Sequence, residues 1–135
     1  TIMAGEIRDT NLKKTKALPA AGATNYSDSI DLIDTNPGIK MRNAEIEVVL
    51  PATASLADTK SVTLTLQDSA DDSTFADIEQ LAAISVTASG GAGGSAVTRK
   101  FKLPEDVARY IRLKQVITAS GGDNTAVSTT TSVVY

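Results

Sequence analysis

The densest group of acidic residues in the sequence lies between Asp68 and Asp72 and could supply oxygen ligands to a calcium ion. The run from Asp68 to Ser73 lacks the alternating oxygen-donor pattern of an EF-hand loop. Aspartate and serine side chains also bond to nearby backbone amides in tight turns. A solvated hairpin turn is therefore the simpler interpretation, and we predict no metal site.

A second pair of carboxylates, Asp77 and Glu79, has the spacing that places two residues on one strand face. Paired carboxylates can serve as the acid and the nucleophile of a glycosidase. Such pairs normally sit in clefts lined by aromatic residues, and this chain of 135 residues has 2 Phe, 3 Tyr and no Trp. It also has no His and no Cys, which removes the commonest general base and every thiol nucleophile. The sequence therefore predicts no catalytic residues, no cofactor and no enzymatic activity.

Two further motifs have structural interpretations. The glycine-rich segment Ser89–Ser95 lacks the Lys-Ser/Thr of a phosphate-binding loop and is predicted to be a flexible loop. Arg109, Arg112 and Lys114 form a basic stripe, but nucleic-acid-binding strands usually interleave aromatics with such charge, and we expect the one neighbouring aromatic, Tyr110, to face away. Because 13 basic and 16 acidic residues leave a net charge of −3, we predict neither a nucleic-acid nor a membrane partner.

The elements that must position these residues are short strands. Apolar and polar residues alternate with period two in runs enriched in β-branched side chains, and turn residues such as Asn36-Pro37-Gly38 separate the runs. The pattern predicts an all-β fold, an antiparallel β-sandwich or jelly roll, because no stretch has a sustained helical period. Its seven predicted strands are Ser29–Ile33, Ala44–Leu50, Val62–Gln67, Leu81–Ala88, Val97–Leu103, Tyr110–Ile117 and Val127–Tyr135.

The N-terminal part of the chain differs from the rest, since it is locally basic and then rich in small residues. We predict an extended N-terminal arm over residues 1–26 and a β-sandwich domain over residues 27–135. The arm is either a disordered terminus or a segment that orders on a partner. In the second case the partner-binding residues are Ile7, Arg8, Leu12, Lys13, Lys14, Lys16 and Leu18.

The core is expected to consist of aliphatic side chains, because hydrophobic residues make up 41% of the chain and aromatics only 4%. Two interpretations follow. The protein is either a small domain with a thin core, or a module that completes its core by oligomerising.

In three segments the chain resembles the Bbp16-like capsid decoration (cement) proteins of tailed bacteriophages. The first is the opening, a short polar-basic arm followed by Ala17–Thr24 and Ser29–Leu32. The second is the strand, acidic turn and phenylalanine from Val62 to Phe75, and the third is the closing part from Arg99 onward. The resemblance implies a jelly-roll-like homotrimer that binds the major capsid protein on the outer surface of the virion, at capsid three-fold positions. None of these segments is a catalytic motif.

Two functions remain open from the sequence. The first is a structural protein that decorates the outer surface of a tailed-phage head and stabilises the capsid lattice. The alternative is a carbohydrate-binding β-sandwich module of a phage or secreted protein, against which the low aromatic content counts.

Overall fold

The computed structural model describes residues 8–32, 45–104 and 106–134, and ten strands lie within these ranges. Each of the seven predicted strands has a counterpart, although Ile33, Ala44 and Tyr135 lie outside the described residues, as does the predicted turn at 36–38. The strands are β1 (Arg8–Ala17), β2 (Thr24–Tyr26), β3 (Ile30–Asp31), β4 (Glu45–Leu50), β5 (Ser61–Ser69), β6 (Ala76–Asp77), β7 (Ile84–Thr87), β8 (Val97–Lys102), β9 (Tyr110–Ile117) and β10 (Ser128–Val134).

The strands form two antiparallel sheets. Sheet A has the order β1-β10-β4-β8. Sheet B has β9 and β5 at its centre, with β2 and β3 paired to the outer side of β9 and β6 and β7 paired to the outer side of β5. The prediction of an all-β antiparallel sandwich is therefore confirmed.

Alternation along the central strands explains why the two sheets pack face to face. In β4 every second residue is buried, and β5 and β9 follow the same pattern over most of their length. Removal of these aliphatic side chains from water is the main favourable contribution to folding. The fully buried aliphatic residues include Ile46, Val48, Leu50, Val62, Leu64, Ile84, Ile111, Leu113 and Ile117.

The boundary predicted between an arm and a sandwich domain is wrong for residues 8–26. β1 pairs with β10 at the edge of sheet A, β2 pairs with β9 in sheet B, and Leu18 between them is 2% exposed in the core. The chain therefore crosses from one sheet to the other inside the predicted arm. Residues 1–7 lie outside the described residues.

The glycine-rich segment predicted to be a flexible loop is packed against a neighbouring loop. Thr53 and Gly94 exchange two backbone hydrogen bonds of 2.9 Å. A Cβ added to Gly93 would lie 2.2 Å from the Thr53 carbonyl oxygen, whereas one added to Gly90 or Gly91 would meet nothing within 4 Å. The glycines thus permit a close backbone approach that fixes this loop, and the prediction of flexibility is wrong for Gly93 and Gly94.

Candidate interaction surfaces

The outer face of sheet B carries the most distinctive side chains. Along β9, Tyr110, Arg112 and Lys114 are half-buried on this face, and the residues between them point into the core. The expectation that Tyr110 faces away from the basic stripe is therefore wrong. It shares the face with Arg112 because residues two apart on a strand point the same way.

Arg112 lies between two aromatic rings on this face. Its guanidinium carbon is 3.8 Å from the ring centroid of Tyr26 and 4.0 Å from that of Phe75. Both distances are within the range of a cation–π interaction. Its Nε donates a hydrogen bond of 2.9 Å to Oε1 of Gln67, and the Gln67 amide nitrogen donates one of 2.8 Å to Asp77. We call these five residues the Arg112 clamp.

A second arginine nearby is engaged differently. The Nε and Nη2 atoms of Arg109 donate hydrogen bonds of 2.9 and 2.7 Å to the two carboxylate oxygens of Asp31. This bidentate ion pair joins β3 to the start of β9 on the same face of sheet B. Arg109 therefore fixes the sheet edge, whereas Arg112 occupies its centre.

The residues predicted to bind a partner through the arm are divided by the structure. Ile7 lies outside the described residues, and Arg8 and Leu12 belong to β1, where the structure does not describe their side chains. Lys13 is exposed on the outer face of sheet A, whereas Lys14 and Lys16 are half-buried on the opposite face of β1, across from Thr131 and Thr129. Leu18 is a core residue, so its predicted role in partner binding is wrong. Sequence reasoning missed the Arg112 clamp because Tyr26, Phe75 and Arg112 are far apart in the chain.

The acidic turn follows the simpler of its two interpretations. Oδ1 of Asp71 accepts hydrogen bonds from the amides of Thr74 and Ser73 and from the Ser69 hydroxyl, and these contacts, in that order, lower the pKa of Asp71 below its ordinary value of 3.8. Oδ2 of Asp68 instead accepts a hydrogen bond of 3.0 Å from the Ala108 amide. The two carboxylates thus serve separate backbone groups.

The second acidic pair is also separated. Asp77 belongs to β6 and accepts the bond from Gln67, whereas exposed Glu79 lies beyond the end of that strand. Within the described ranges, no cluster of three or more acidic, His or Cys side chains could hold a metal ion. Nor does any helix in that part of the chain have the length and apolar character needed to cross a membrane.

Comparison with protein families gives one result that covers nearly the whole sandwich. Residues 12–133 match the Bbp16 family model. The matched region extends from β1 through most of β10 and so includes both sheets. The chain therefore belongs to the Bbp16 family, and this part of the predicted resemblance is confirmed, whereas capsid decoration stays a prediction. No curated protein matches the chain.

Several solved structures are similar to the chain at low sequence identity. PBSX exported protein XepA is 16% identical with a TM-score of 0.55, over 88% of this chain and 34% of that chain. PirA is 13% identical with a TM-score of 0.46, over 94% and 95% of the two chains. A subunit of the Bacillus endospore appendages is 15% identical with a TM-score of 0.47, over 100% and 95%. This chain spans about a third of XepA, and that similarity shows the fold alone.

Proposed function

We propose that the protein is a non-enzymatic structural module that decorates the outer surface of a tailed-phage capsid and stabilises its lattice. The observation that carries the proposal is the Bbp16 family match over residues 12–133, since it covers the sandwich itself and not a short motif. The resemblance to capsid decoration proteins supplies the proposed partner, the major capsid protein, and the proposed location on the virion.

The chemistry of the described side chains supports a structural role. The chain has no His and no Cys. Several of its carboxylates serve the fold: Asp31 pairs with Arg109, Asp58 accepts from the Gly91 amide, Asp68 from the Ala108 amide, and Asp71 from its own turn. Carboxylates committed to backbone amides or to an ion pair are poorly suited to general acid–base catalysis, which requires a free proton-transfer position.

The direct test is co-sedimentation of the purified protein with expanded capsids that lack it. We expect saturable binding, with copies in multiples of three if the protein attaches as the proposed homotrimer. Sedimentation velocity of the free protein measures whether the trimer exists before attachment. Absence of binding even when the protein is present in large excess over capsid subunits would refute the proposed function.

The lysines of β1 remain predicted attachment residues. Lys13, Lys14 and Lys16 lie at one edge of sheet A, and Arg99, Lys100 and Lys102 lie on the strand at its other edge. Replacement of the first three by glutamine is expected to weaken capsid binding and its salt dependence, because fewer charges then attract an acidic shell. The same triple replacement on β8 is the matched control. Equal effects of both triples would contradict a specific role for β1.

The carbohydrate-binding alternative has one observation in its favour. Three of the five aromatic residues of the chain, Tyr26, Phe75 and Tyr110, lie together on sheet B, and the Tyr26 side chain is 40% exposed. The Arg112 guanidinium, however, already lies against the rings of Tyr26 and Phe75, and sugars stack on open rings. A glycan array distinguishes the two functions. Glycan binding by the wild-type chain that is lost in Tyr26→Ala would favour the carbohydrate-binding function.

A further inference from the structure

The Arg112 clamp holds its cation in one orientation. The guanidinium lies between two rings at 3.8 and 4.0 Å, and its Nε is bonded to Gln67, which Asp77 fixes in turn. A free arginine loses side-chain conformational entropy when it is immobilised. At Arg112 that cost is already met within the folded protein, so a ligand can bind the guanidinium without ordering it.

The clamp leaves the other end of the guanidinium unused. The two Nη atoms carry four N–H donors, and no acceptor in residues 8–32, 45–104 or 106–134 bonds to them. Arg109 is the internal contrast, because its Nε and Nη2 are both bonded to Asp31. Arg112 therefore presents a rigid pair of donors on a half-buried surface beside exposed Tyr26.

We infer that the Arg112 clamp is the anchor of a docking surface for a partner protein that presents an Asp or Glu carboxylate to the two Nη atoms. This inference rests on the proposed function in one respect, since we take the partner protein to be the major capsid protein of the shell. A carboxylate matches the planar fork of a guanidinium with two parallel hydrogen bonds. Arginine and tyrosine are also the residue types that dominate binding energy in the centres of interfaces.

The charges around the clamp favour a single carboxylate over a polyanion. Asp77 belongs to the clamp and is exposed, whereas Asp31 on the same face is already paired with Arg109. A nucleic-acid backbone, with closely spaced phosphates, would bring further negative charges against Asp77 and against a protein of net charge −3. One acidic side chain on a protein surface meets the cation without that repulsion.

The first experiment measures occupancy on expanded capsids for the wild-type chain, Arg112→Lys and the control Arg99→Lys. Arg99 is exposed on β8 in the other sheet. Lysine keeps the charge but lacks the planar fork, so Arg112→Lys is expected to bind about tenfold more weakly or worse, whereas the control stays within about twofold. Far-UV circular dichroism and thermal midpoints establish that each variant is folded.

The second experiment needs neither a variant nor a capsid. Side-chain guanidinium resonances of the wild-type protein are followed by NMR while chloride is exchanged for acetate, and in a parallel series for phosphate, at constant ionic strength. Acetate should shift Arg112 Nη signals more than those of Arg99, and phosphate should have no larger effect.

The outcomes separate this inference from the proposed function. If the wild-type chain binds capsids and Arg112→Lys binds equally well, the docking surface is wrong and the function stands. If the wild-type chain does not bind capsids, the function fails and the acetate series alone decides the carboxylate site. Equal shifts at Arg112 and Arg99, or a stronger response to phosphate, would overturn the inference.

Discussion

The space between the two sheets has two halves of different chemistry. Between β4 and β5 it is filled by aliphatic residues such as Val48 and Leu64. Between β9 and β10 it contains Gln115, which is fully buried, donates to the Ala17 carbonyl and Asn25, and accepts from the Thr129 hydroxyl. We call these the aliphatic half and the polar half.

The difference shows how one interior can divide the tasks of stability and specificity. Aliphatic contacts are non-directional, so the aliphatic half contributes free energy without fixing one strand register. Hydrogen bonds of a buried amide are directional, and a register slip would leave Gln115 without its partners at a cost of about 1–3 kcal/mol for each buried group. The polar half therefore specifies how β1, β2 and β10 meet.

The largest expected effect on stability comes from removal of β1, the edge strand beside the polar half. Deletion of residues 1–24 removes β1 and Leu18 and takes the Ala17 carbonyl away from Gln115. Loss of a buried leucine side chain alone costs about 2–5 kcal/mol, out of a total stability of about 5–15 kcal/mol. We expect the truncated chain to lose cooperative thermal unfolding, measured by circular dichroism.

A shorter deletion of residues 1–7 ends before β1 begins and is the matched control for that truncation. Cooperative unfolding of the chain that lacks residues 1–24 would contradict the role assigned to β1. It would restore the predicted boundary between an N-terminal arm and the β-sandwich domain.

The aliphatic half should respond to lost volume and tolerate changes of shape. Leu64 is 1% exposed at the centre of β5. Leu64→Ala is expected to lower the free energy of unfolding by about 2–5 kcal/mol, because it leaves a cavity. Leu64→Met conserves volume and should cost less than about 1.5 kcal/mol. Urea denaturation of both variants measures the difference, and equal costs would show that shape matters in this half as well.

Substitution of two threonines in the polar half is expected to change the free energy of unfolding in opposite directions. Thr129 and Thr131 lie two residues apart on β10, both 1% exposed, and the Thr129 hydroxyl bonds to Gln115 whereas that of Thr131 has no partner among the described residues. Thr129→Val should therefore destabilise the protein by about 1–2 kcal/mol, and Thr131→Val should stabilise it by up to about 1 kcal/mol. Chemical denaturation of the two variants measures both values. Stabilisation by Thr129→Val would refute the hydrogen bond to Gln115, and destabilisation by Thr131→Val would refute the unpartnered state of its hydroxyl.

The smallest expected effect is in pH dependence, which should come from the surface and from neither half. The buried polar residues in the described chain do not titrate, whereas the pKa values of Asp71 and Asp123 are lowered. For Asp123 the cause is first the Thr125 hydroxyl and then its amide. A lowered pKa contributes stability above the unfolded value of 3.8, and that stability is lost as the pH falls through the folded value.

The free energy of unfolding, measured between pH 5 and pH 2, tests this pH dependence. The loss of stability on protonation of carboxylates begins at about pH 5. Asp71→Asn should flatten the decline below pH 3.8. The difference between Thr129→Val and Thr131→Val should not change over the same range. A change in that difference would place a titrating group near the polar half.

The sequence predicted the central strands β4, β5, β9 and β10, but it predicted neither β1 and β2 beside the polar half nor the hydrogen bonds of Gln115. Period-two alternation predicted β4, β5 and β9. Their core-facing side chains are aliphatic, apart from Gln115 and residues near the strand ends. The sequence did not predict β1. The described residues on its inner face are Lys14 and Lys16, which lie across from Thr131 and Thr129, so the strand has no apolar alternation.

The candidate surface depended on contacts that no local pattern contains. β2 and β6 have three and two residues, too short for a period to appear. They nonetheless bring Tyr26 and Asp77 to the two sides of the Arg112 clamp. Only the pairing of β2 and β6 with the central strands of sheet B determines that placement.

The glycine-rich loop also sets where the protein could carry a foreign peptide. A Cβ added to Gly90 would meet nothing within 4 Å, and neither Ser89 nor Gly90 belongs to a strand. A sequence inserted between them would therefore extend into solvent, and it would interrupt only the turn hydrogen bond from the Ala92 amide to the Ser89 carbonyl. The same insertion between Gly93 and Gly94 would break the paired backbone contact with Thr53. A display scaffold built from this chain thus has one permissive site and one forbidden site four residues apart in a single loop.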